Sequence, residues 1–213
     1  MSKHGGPRLP LMVSAHFCAS FSFAAVAQFA LAAEPSVEEQ VVTLVNEQRL
    51  NNGRLPPLKH GALLATAAEK HSSNMANRDF LAHCDPDTGT LPWDRMTDVG
   101  YVWSRAGENI AAGYTTASAV VDGWMNSSGH RANILSTDFR EIGIGYVYQS
   151  GDGGNVRQDA NGDCVADTQS GGPYYRYWTQ DFGTRGFLHP VVINREAFET
   201  QDRQVDLYLY GSG

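Results

Sequence analysis

The order of the periodic patterns constrains the fold most, because helical patterns come first along the chain and strand-like patterns follow. A capping-box sequence opens an apolar helical stripe over residues 36–53, and a second stripe covers residues 61–78. Two shorter helical patterns follow before residue 126, and strand-like segments then occupy residues 142–149 and 174–182. This order predicts an α+β domain with an antiparallel sheet rather than a doubly wound parallel sheet.

The first 33 residues predict a secretory signal peptide. Lys3 and Arg8 precede a long apolar run without any acidic residue, and the sequence ALA at 30–32 matches the small-residue pattern of a cleavage site. A transmembrane anchor is the alternative, but polar residues interrupt the run and no apolar stretch of that length recurs. We therefore expect a secreted protein, extracellular or periplasmic, without a transmembrane anchor.

The charge of the chain argues against one class of partner. Without residues 1–33 the formal net charge falls from −7 to about −9, because two basic residues leave and no acidic residue does. Nucleic acid and anionic lipid need a basic face, so neither is expected as a partner. The remaining length suffices for one domain with a full core, which we assign to residues 34–185. The tail at residues 186–213 has two strand-like stretches, which either dock on this domain or begin a further β domain.

Two histidines and a glutamate are the candidate functional residues. Glu108 follows His83 by 25 residues and precedes His130 by 22 residues. Imidazoles and a carboxylate from separate elements suit a polar pocket that either binds a divalent metal or moves protons near neutral pH. Ser127 and Ser128 lie close to His130 in sequence, but neither lies in the G-x-S-x-G turn of a hydrolase.

Six short stretches carry a resemblance to a known family. They are VNEQR (45–49), FLAH (80–83), GENIA (107–111), WMNSSGHRANIL (124–135), EIGIGY (141–146) and YWTQDFG (177–183). Taken in this order, they resemble the compact bacterial members of the CAP superfamily, which includes cysteine-rich secretory proteins, antigen 5 and plant pathogenesis-related proteins. Each stretch is weak alone, whereas six in order over roughly 140 residues form a specific signal.

The resemblance implies a three-layer α-β-α sandwich with a cleft that carries two histidines and two glutamates. Matched motif by motif, His83, Glu108 and His130 occupy three of these places. Ser127 occupies the fourth, where animal and plant members carry glutamate, so one negative charge is missing from the pocket. Glu141 is near in sequence and is a candidate substitute, although its simpler role is to begin a strand.

Three functions stay open for this cleft. We favour a secreted binding module in which His83, Glu108, His130 and Ser127 line a site for a lipid, a cell-wall fragment or a protein. The rival is a metal-assisted peptide hydrolase, in which the two histidines bind zinc and Glu108 is the catalytic base. The third is a structural part of a longer surface protein. The sequence leaves catalysis open and establishes no catalytic residue.

The insertion at residues 151–172 has the oxygen spacing of a calcium loop. The ligand positions 1, 3, 5, 7 and 9 would be taken by Asp159, Asn161, Asp163, the carbonyl of Val165, and Asp167. Cys164 replaces the glycine of the sharp turn, and Ser170 replaces the closing glutamate. The alternative is a solvated acidic turn, because Asp, Asn and Gly are common turn residues.

Two cysteines, Cys84 and Cys164, remain after removal of the signal peptide. An oxidising compartment permits a disulfide between them, and two unpaired thiols are the alternative. A bridge would hold the insertion on the His83 side of the cleft, because Cys84 follows that histidine directly.

Overall fold

The structure is a computed structural model that describes residues 34–159, 161–166, 168–169, 171–186, 190–197 and 205–210. The signal peptide predicted for residues 1–33 lies outside the described residues. The helices of the described part are α1 (Val37–Asn51), α2 (Ala62–Asn77), α3 (Pro92–Asp98), α4 (Ala117–Asn126) and α5 (Ser128–Leu135). None of these described helices has the length and apolar character needed to cross a bilayer.

Local sequence explains where the helices begin. Ser36 Oγ accepts a hydrogen bond from the Glu39 amide at 3.2 Å, and Glu39 Oε2 accepts one from the Ser36 amide at 2.8 Å. This is the capping box expected from the sequence, and it starts α1. Thr116 caps α4 by accepting from the Ala119 amide at 3.1 Å. Pro92 starts α3, where its missing amide is tolerated because the first turn leaves amides unpaired.

The strands of the described part form one main sheet and two small ones. They are β1 (Lys59–His60), β2 (Phe80–Leu81), β3 (Arg105–Ala112), β4 (Glu141–Tyr148), β5 (Arg157–Gln158), β6 (Thr168–Gln169), β7 (Arg176–Thr184), β8 (Val191–Ile193) and β9 (Leu207–Leu209). The main sheet has the order β1-β4-β7-β3. Its three long strands are antiparallel neighbours, and only the two-residue β1 pairs in parallel.

The main sheet lies between two layers of helices. Trp178 and Phe182 of β7 face one layer, where they pack with residues of α1 and α4, namely Val41, Val45, Val120 and Trp124. Tyr177, one position away on the same strand, belongs to a second cluster with Met75 of α2. Successive side chains of a strand point to opposite faces, so the sheet is covered on both. This confirms the predicted α+β class with an antiparallel sheet.

Two glycines let α2 approach the sheet closely. A Cβ atom at Gly143 would lie 2.1 Å from the Ala65 amide nitrogen, and one at Gly145 would lie 2.2 Å from the Ala68 carbonyl carbon. Only glycine fits at either position, because the backbones of α2 and β4 pack directly against each other. Ser72 of α2 then donates to the Gly145 carbonyl at 3.1 Å.

A buried arginine joins α1 to two loops. Arg49 is fully buried and donates to the carbonyls of Pro56, Ile134 and Ser136 at 2.6 to 2.7 Å. Burial lowers the pKa of this guanidinium to about 10, which keeps it charged at neutral pH. The three carbonyls compensate for the loss of hydration and hold the loop before β1 and the end of α5 against α1.

The described parts of the C-terminal tail contact the main domain. β8 and β9 pair as a two-stranded antiparallel sheet. In the turn after β8, the Arg195 carbonyl accepts from Asn46 Nδ2 of α1 at 2.9 Å, and the Arg195 guanidinium donates to the Leu55 carbonyl at 2.7 Å. Glu196 forms an ion pair with Lys59 at 3.0 Å. These contacts tie the turn to α1, the following loop and β1.

The close approach of α2 to β4 gives a first prediction. We expect Gly143→Ala to destabilise the domain by about 1–3 kcal/mol, because the added methyl group forces α2 away from the sheet. Chemical denaturation measures the loss. Gly129→Ala is the matched control, because a Cβ atom at Gly129 in α5 meets nothing within 4 Å and alanine favours a helix. Equal stability of Gly143→Ala and the wild type would contradict this packing.

Candidate functional site

A buried ion pair forms the base of the site. Glu108 lies on β3 with its side chain 2% exposed, and its Oε2 atom accepts from Arg95 Nη2 at 2.6 Å. Arg95 comes from α3 and is itself buried. The same guanidinium donates to the carbonyls of His83 and Thr90, each at 3.0 Å. Arg95 is absent from the predicted site residues, because one arginine in a short helix carries no distinctive sequence signal.

His83 lies in the loop after β2, with its side chain 52% exposed. Its Nδ1 atom lies 2.8 Å from Oε1 of Glu108. Because an ionised carboxylate only accepts hydrogen bonds, Nδ1 carries the proton and donates to Glu108. In the neutral imidazole, Nε2 is then left as an acceptor or a metal-ligating atom.

Glu108 is ionised at physiological pH. Burial raises the pKa of a carboxyl, but three effects outweigh burial here and lower the pKa of Glu108 to about 2. They are the charge that His71 carries at such acidic pH, the hydrogen bond from His83 and the charge of Arg95. His71 is buried in α2, and this burial lowers its own pKa to about 4. At neutral pH His71 is therefore uncharged, with Nε2 lying 2.9 Å from the Ala82 carbonyl.

His130 lies in α5, which packs against β3. Asn109 Nδ2 donates to the His130 carbonyl at 3.1 Å, and Asn133 Nδ2 donates to the Glu108 carbonyl at 3.2 Å. Burial and the charge of His83 lower the pKa of the His130 imidazole, so it is uncharged at pH 7. The hydrogen bonds from Asn109 and Asn133 place α5 beside the Glu108 segment of β3.

The fourth place of the cleft holds no carboxylate. Ser127 lies between α4 and α5, is partly exposed, and its carbonyl accepts from the Arg131 amide at 2.9 Å. Glu141, the candidate substitute, is engaged elsewhere: its Oε2 atom accepts from Tyr101 Oη at 2.9 Å and from Arg185 Nε at 2.8 Å. Glu141 begins β4 and does not replace the missing glutamate.

A different acid lies beside Glu108. Asp181 of β7 is the register partner of Glu108, and its side chain is fully buried. Directly opposed residues of an antiparallel pair have Cβ atoms about 5 Å apart on the same face of the sheet. On β4, Asp181 pairs with Gly143, which has no side chain. The stretch YWTQDFG contained the signal for this residue, because strand alternation puts Asp181 on the α2 face with Tyr177.

The Asp-rich insertion folds into a tight turn around Asp159. Asp159 Oδ1 accepts from the Gly162 amide at 2.7 Å, and Oδ2 accepts from the Cys164 amide at 2.9 Å. Asn161 Oδ1 accepts from the Asp163 amide at 3.1 Å. The side chains at the first three predicted ligand positions thus organise one compact turn.

Cys164 connects this turn to the site. It adopts a φ of +67°, the left-handed region that favours glycine, at the position where a calcium loop has its sharp turn. Cys164 also forms a disulfide with Cys84, with the Cα atoms 5.3 Å apart. The Val165 amide donates to Asp163 at 2.8 Å, whereas the predicted ligand Asp167 lies outside the described residues.

The described residues offer few metal ligands in any one place. Within this part of the chain, no three His, Cys, Asp or Glu side chains form a group that could hold a metal ion. Zinc at His83 and His130 would thus have two protein ligands and otherwise water. A cavity of about 300 Å³ lies elsewhere, between α1, β1 and the turn after β8, and its lining includes none of the cleft residues.

Comparison with known proteins agrees with this fold. Residues 42–182 match the Cysteine-rich secretory protein family, CAP. The uncharacterized protein YkwD of Bacillus subtilis is 43% identical over 110 residues, which cover 52% of this chain and 42% of that protein. The chain therefore spans less than half the length of this curated relative.

Two solved structures are similar to the chain. An extracellular protein containing an SCP domain from Bacillus anthracis has a TM-score of 0.53 and 28% identity, over 70% of this chain and 40% of that chain. An outer surface protein from Borrelia burgdorferi has a TM-score of 0.55 and 18% identity, over 73% of this chain and 99% of that chain. The second likeness concerns the fold alone.

The low pKa of Glu108 gives a second prediction. Its folded-state pKa of about 2 lies below the ordinary value of 4.5, so its stabilisation is present above pH 4.5 and is lost as the pH falls towards 2. We expect the stability advantage of the wild type over Glu108→Gln to shrink by about 3 kcal/mol over this range. Denaturation at pH 5, 4, 3 and 2 measures it. The exposed Glu69→Gln is the control, and a constant difference for Glu108→Gln would contradict the assignment.

Proposed function

Because the chain belongs to the cysteine-rich secretory protein family, CAP, we propose that it is a secreted binding module whose cleft is built by His83, Glu108 and His130. Export is supported by the signal-like sequence at residues 1–33 and by the extracellular description of the similar Bacillus anthracis structure. The ligand would be a lipid, a cell-wall fragment or a protein met outside the cytoplasm.

The observation that carries this proposal is the engagement of Glu108. One of its oxygens accepts from His83 and the other accepts from Arg95, and its side chain is 2% exposed. A general base must reach the proton that it abstracts. A carboxylate held in this way instead fixes the orientation of an exposed imidazole, which is the arrangement expected of a preformed recognition site.

The chemistry of the exposed groups favours an uncharged ligand with hydrogen-bond donors. The charges of Glu108 and Arg95 compensate each other, and the pKa of His130 is lowered. His83 Nε2 offers an acceptor, and the partly exposed Ser127 hydroxyl both donates and accepts. Hydroxyl and amide groups of sugars, peptides or lipid headgroups fit this set.

A divalent metal at the cleft is a further proposal, which the contact between His83 and Glu108 supports. A carboxylate that accepts from one nitrogen of an imidazole raises the basicity of the other nitrogen, and this suits His83 as a zinc ligand. Catalytic zinc sites ordinarily have three protein ligands, whereas only His83 and His130 are candidates here. The hydrolase with Glu108 as catalytic base is therefore the second candidate, and the structural role in a longer surface protein is the third.

A binding screen with variants tests whether the cleft binds a ligand. We expect the wild type to bind isolated bacterial cell wall, vesicles of neutral phospholipid or a surface protein, and His83→Ala/His130→Ala to bind about tenfold or more weakly, because two hydrogen-bonding groups are lost. Sedimentation with wall or vesicles and calorimetry with soluble candidates give the affinities. Lys70→Ala, exposed on α2, is the control.

The same variants separate the rival functions. A binding module keeps measurable binding in Glu108→Gln, whereas a hydrolase loses zinc-dependent peptide cleavage in that variant and in the double histidine variant. Calorimetric titration of zinc into metal-free protein shows whether His83 and His130 bind the ion. Wild-type affinity of the double histidine variant for every ligand would refute the cleft as the recognition site.

Calcium binding by the insertion is a separate proposal. It is supported by Cys164, which takes up the left-handed conformation although it is not glycine, and by the turn that Asp159 organises. Asp159, Asn161 and Asp163 would supply side-chain oxygens, Val165 its carbonyl, and Asp167 a further carboxylate. The affinity expected of such extracellular modules is about 0.1–1 mM.

Calcium should therefore stabilise the protein at millimolar concentration. With a Kd of about 1 mM, 10 mM calcium adds about 1.4 kcal/mol to the free energy of unfolding. Denaturation with and without calcium measures this gain, and Asp159→Asn should abolish it because a ligating charge is lost. Asp122→Asn, exposed on α4, should keep it. An equal gain in both variants would show that calcium acts elsewhere.

A further inference from the structure

Asp181 is an acidic residue buried beside a second acidic residue. Asp181 is fully buried, and neither of its carboxyl oxygens has a hydrogen-bond donor among the described residues. Its register partner is Glu108, which is ionised and already bound by Arg95 and His83. Two carboxylates sharing a buried site do not both ionise, because their repulsion is barely screened there.

Among the described residues, no cation pairs with the Asp181 carboxyl itself. On β4 its register partner is Gly143, against which the backbone of α2 packs directly. The titratable and charged groups around the carboxyl pair are Glu108 on β3, Arg95 on α3, His71 on α2 and His83 in the loop after β2. Arg95 is bound to Glu108, and burial keeps His71 uncharged at neutral pH.

We propose that Asp181 is protonated at neutral pH and donates its hydrogen bond to Glu108, so that it acts as a positioning residue for the carboxylate that orients His83. The second acid of the cleft then comes from β7 rather than from the segment around Ser127, and it contributes a donor instead of a second negative charge. Glu108 thus has three donors, from α3, from the loop after β2 and from β7.

The electrostatics of the site agree with this assignment. Burial raises the pKa of the Asp181 carboxyl well above its ordinary value, the charge of Glu108 raises this pKa further, and the charge of Arg95 opposes both effects. The two carboxyl groups therefore differ in role although they share a face of the sheet. Glu108 holds the charge, and Asp181 holds the proton.

A pH series with the isosteric variant Asp181→Asn tests the proposal. A carboxyl that keeps its proton in the folded state loses stability as the pH rises above its unfolded-state pKa, near 4. We expect the unfolding equilibrium constant of the wild type, relative to Asp181→Asn, to rise about tenfold per pH unit above this point until Asp181 ionises. A ratio that stays constant from pH 4 to pH 8 would overturn the proposal.

Two further measurements distinguish the effect of the Asp181 proton from the effect of side-chain packing. Asp181→Leu replaces the carboxyl with an apolar side chain and so removes the hydrogen-bond donor to Glu108. The unfolding equilibrium constant of this variant at pH 7 should therefore exceed that of Asp181→Asn about tenfold or more. Equal constants would overturn the positioning role. Infrared spectra of the wild type at pH 7 should contain the band of a protonated buried carboxyl, and its absence would overturn the proposal even if the variants fail to fold.

Asp122→Asn is the matched control for the loss of an acid. Asp122 is exposed on α4, so its neutralisation removes one carboxylate without affecting the cleft. We expect the wild type and Asp122→Asn to keep the same relative stability throughout the series, and the infrared band to persist in this variant. A pH-dependent ratio for Asp122→Asn as large as that for Asp181→Asn would assign the effect to overall charge and overturn the proposal.

Discussion

The buried negative charge of Glu108 is the constraint on which the rest of the site depends. An isolated carboxylate at such a position would be strongly destabilising, so it has to be met by donors from several parts of the chain. Arg95 brings α3 to β3, and His83 brings the loop after β2 to the same carboxylate. Asn133 of α5 binds the Glu108 carbonyl from the backbone side. One residue therefore fixes three segments relative to the sheet.

This arrangement also limits what the cleft can do. The compensated Glu108–Arg95 pair leaves little net charge for a metal ion or a polyanion, and the exposed imidazole of His83 is held in one orientation. A fixed hydrogen-bonding surface costs little ordering on binding, which supports the proposed recognition role. Both carboxylate oxygens of Glu108 already accept hydrogen bonds, which stabilises the charge and leaves neither oxygen free to accept a proton from a substrate. The stability of the site and the binding function that we propose for it would thus have a common cause.

The sequence predicted the parts of the fold that depend on local chemistry. The capping box of α1 and the segments that became α2, β4 and β7 were recognisable because each pattern is complete within one stretch. It did not predict β3 as a strand, because the GENIA stretch has a buried charged residue where a strand usually has an apolar one. Arg95 and Asp181 were missed because their importance arises only when β3, β7 and α3 meet. Long-range electrostatic partners leave no periodic signal.

The disulfide adds a second means of holding His83. Glu108 fixes the imidazole through Nδ1, while the bond from Cys84 to Cys164 ties the neighbouring backbone to the Asp-rich turn 80 residues away. Cys164 also adopts a left-handed φ within this turn, so the bridge and the turn share one position. Any ligand that orders this turn would act on the backbone next to His83 without touching the cleft. The covalent link thus makes the insertion part of the architecture of the site, which is one of the two alternatives that the sequence left open for these cysteines.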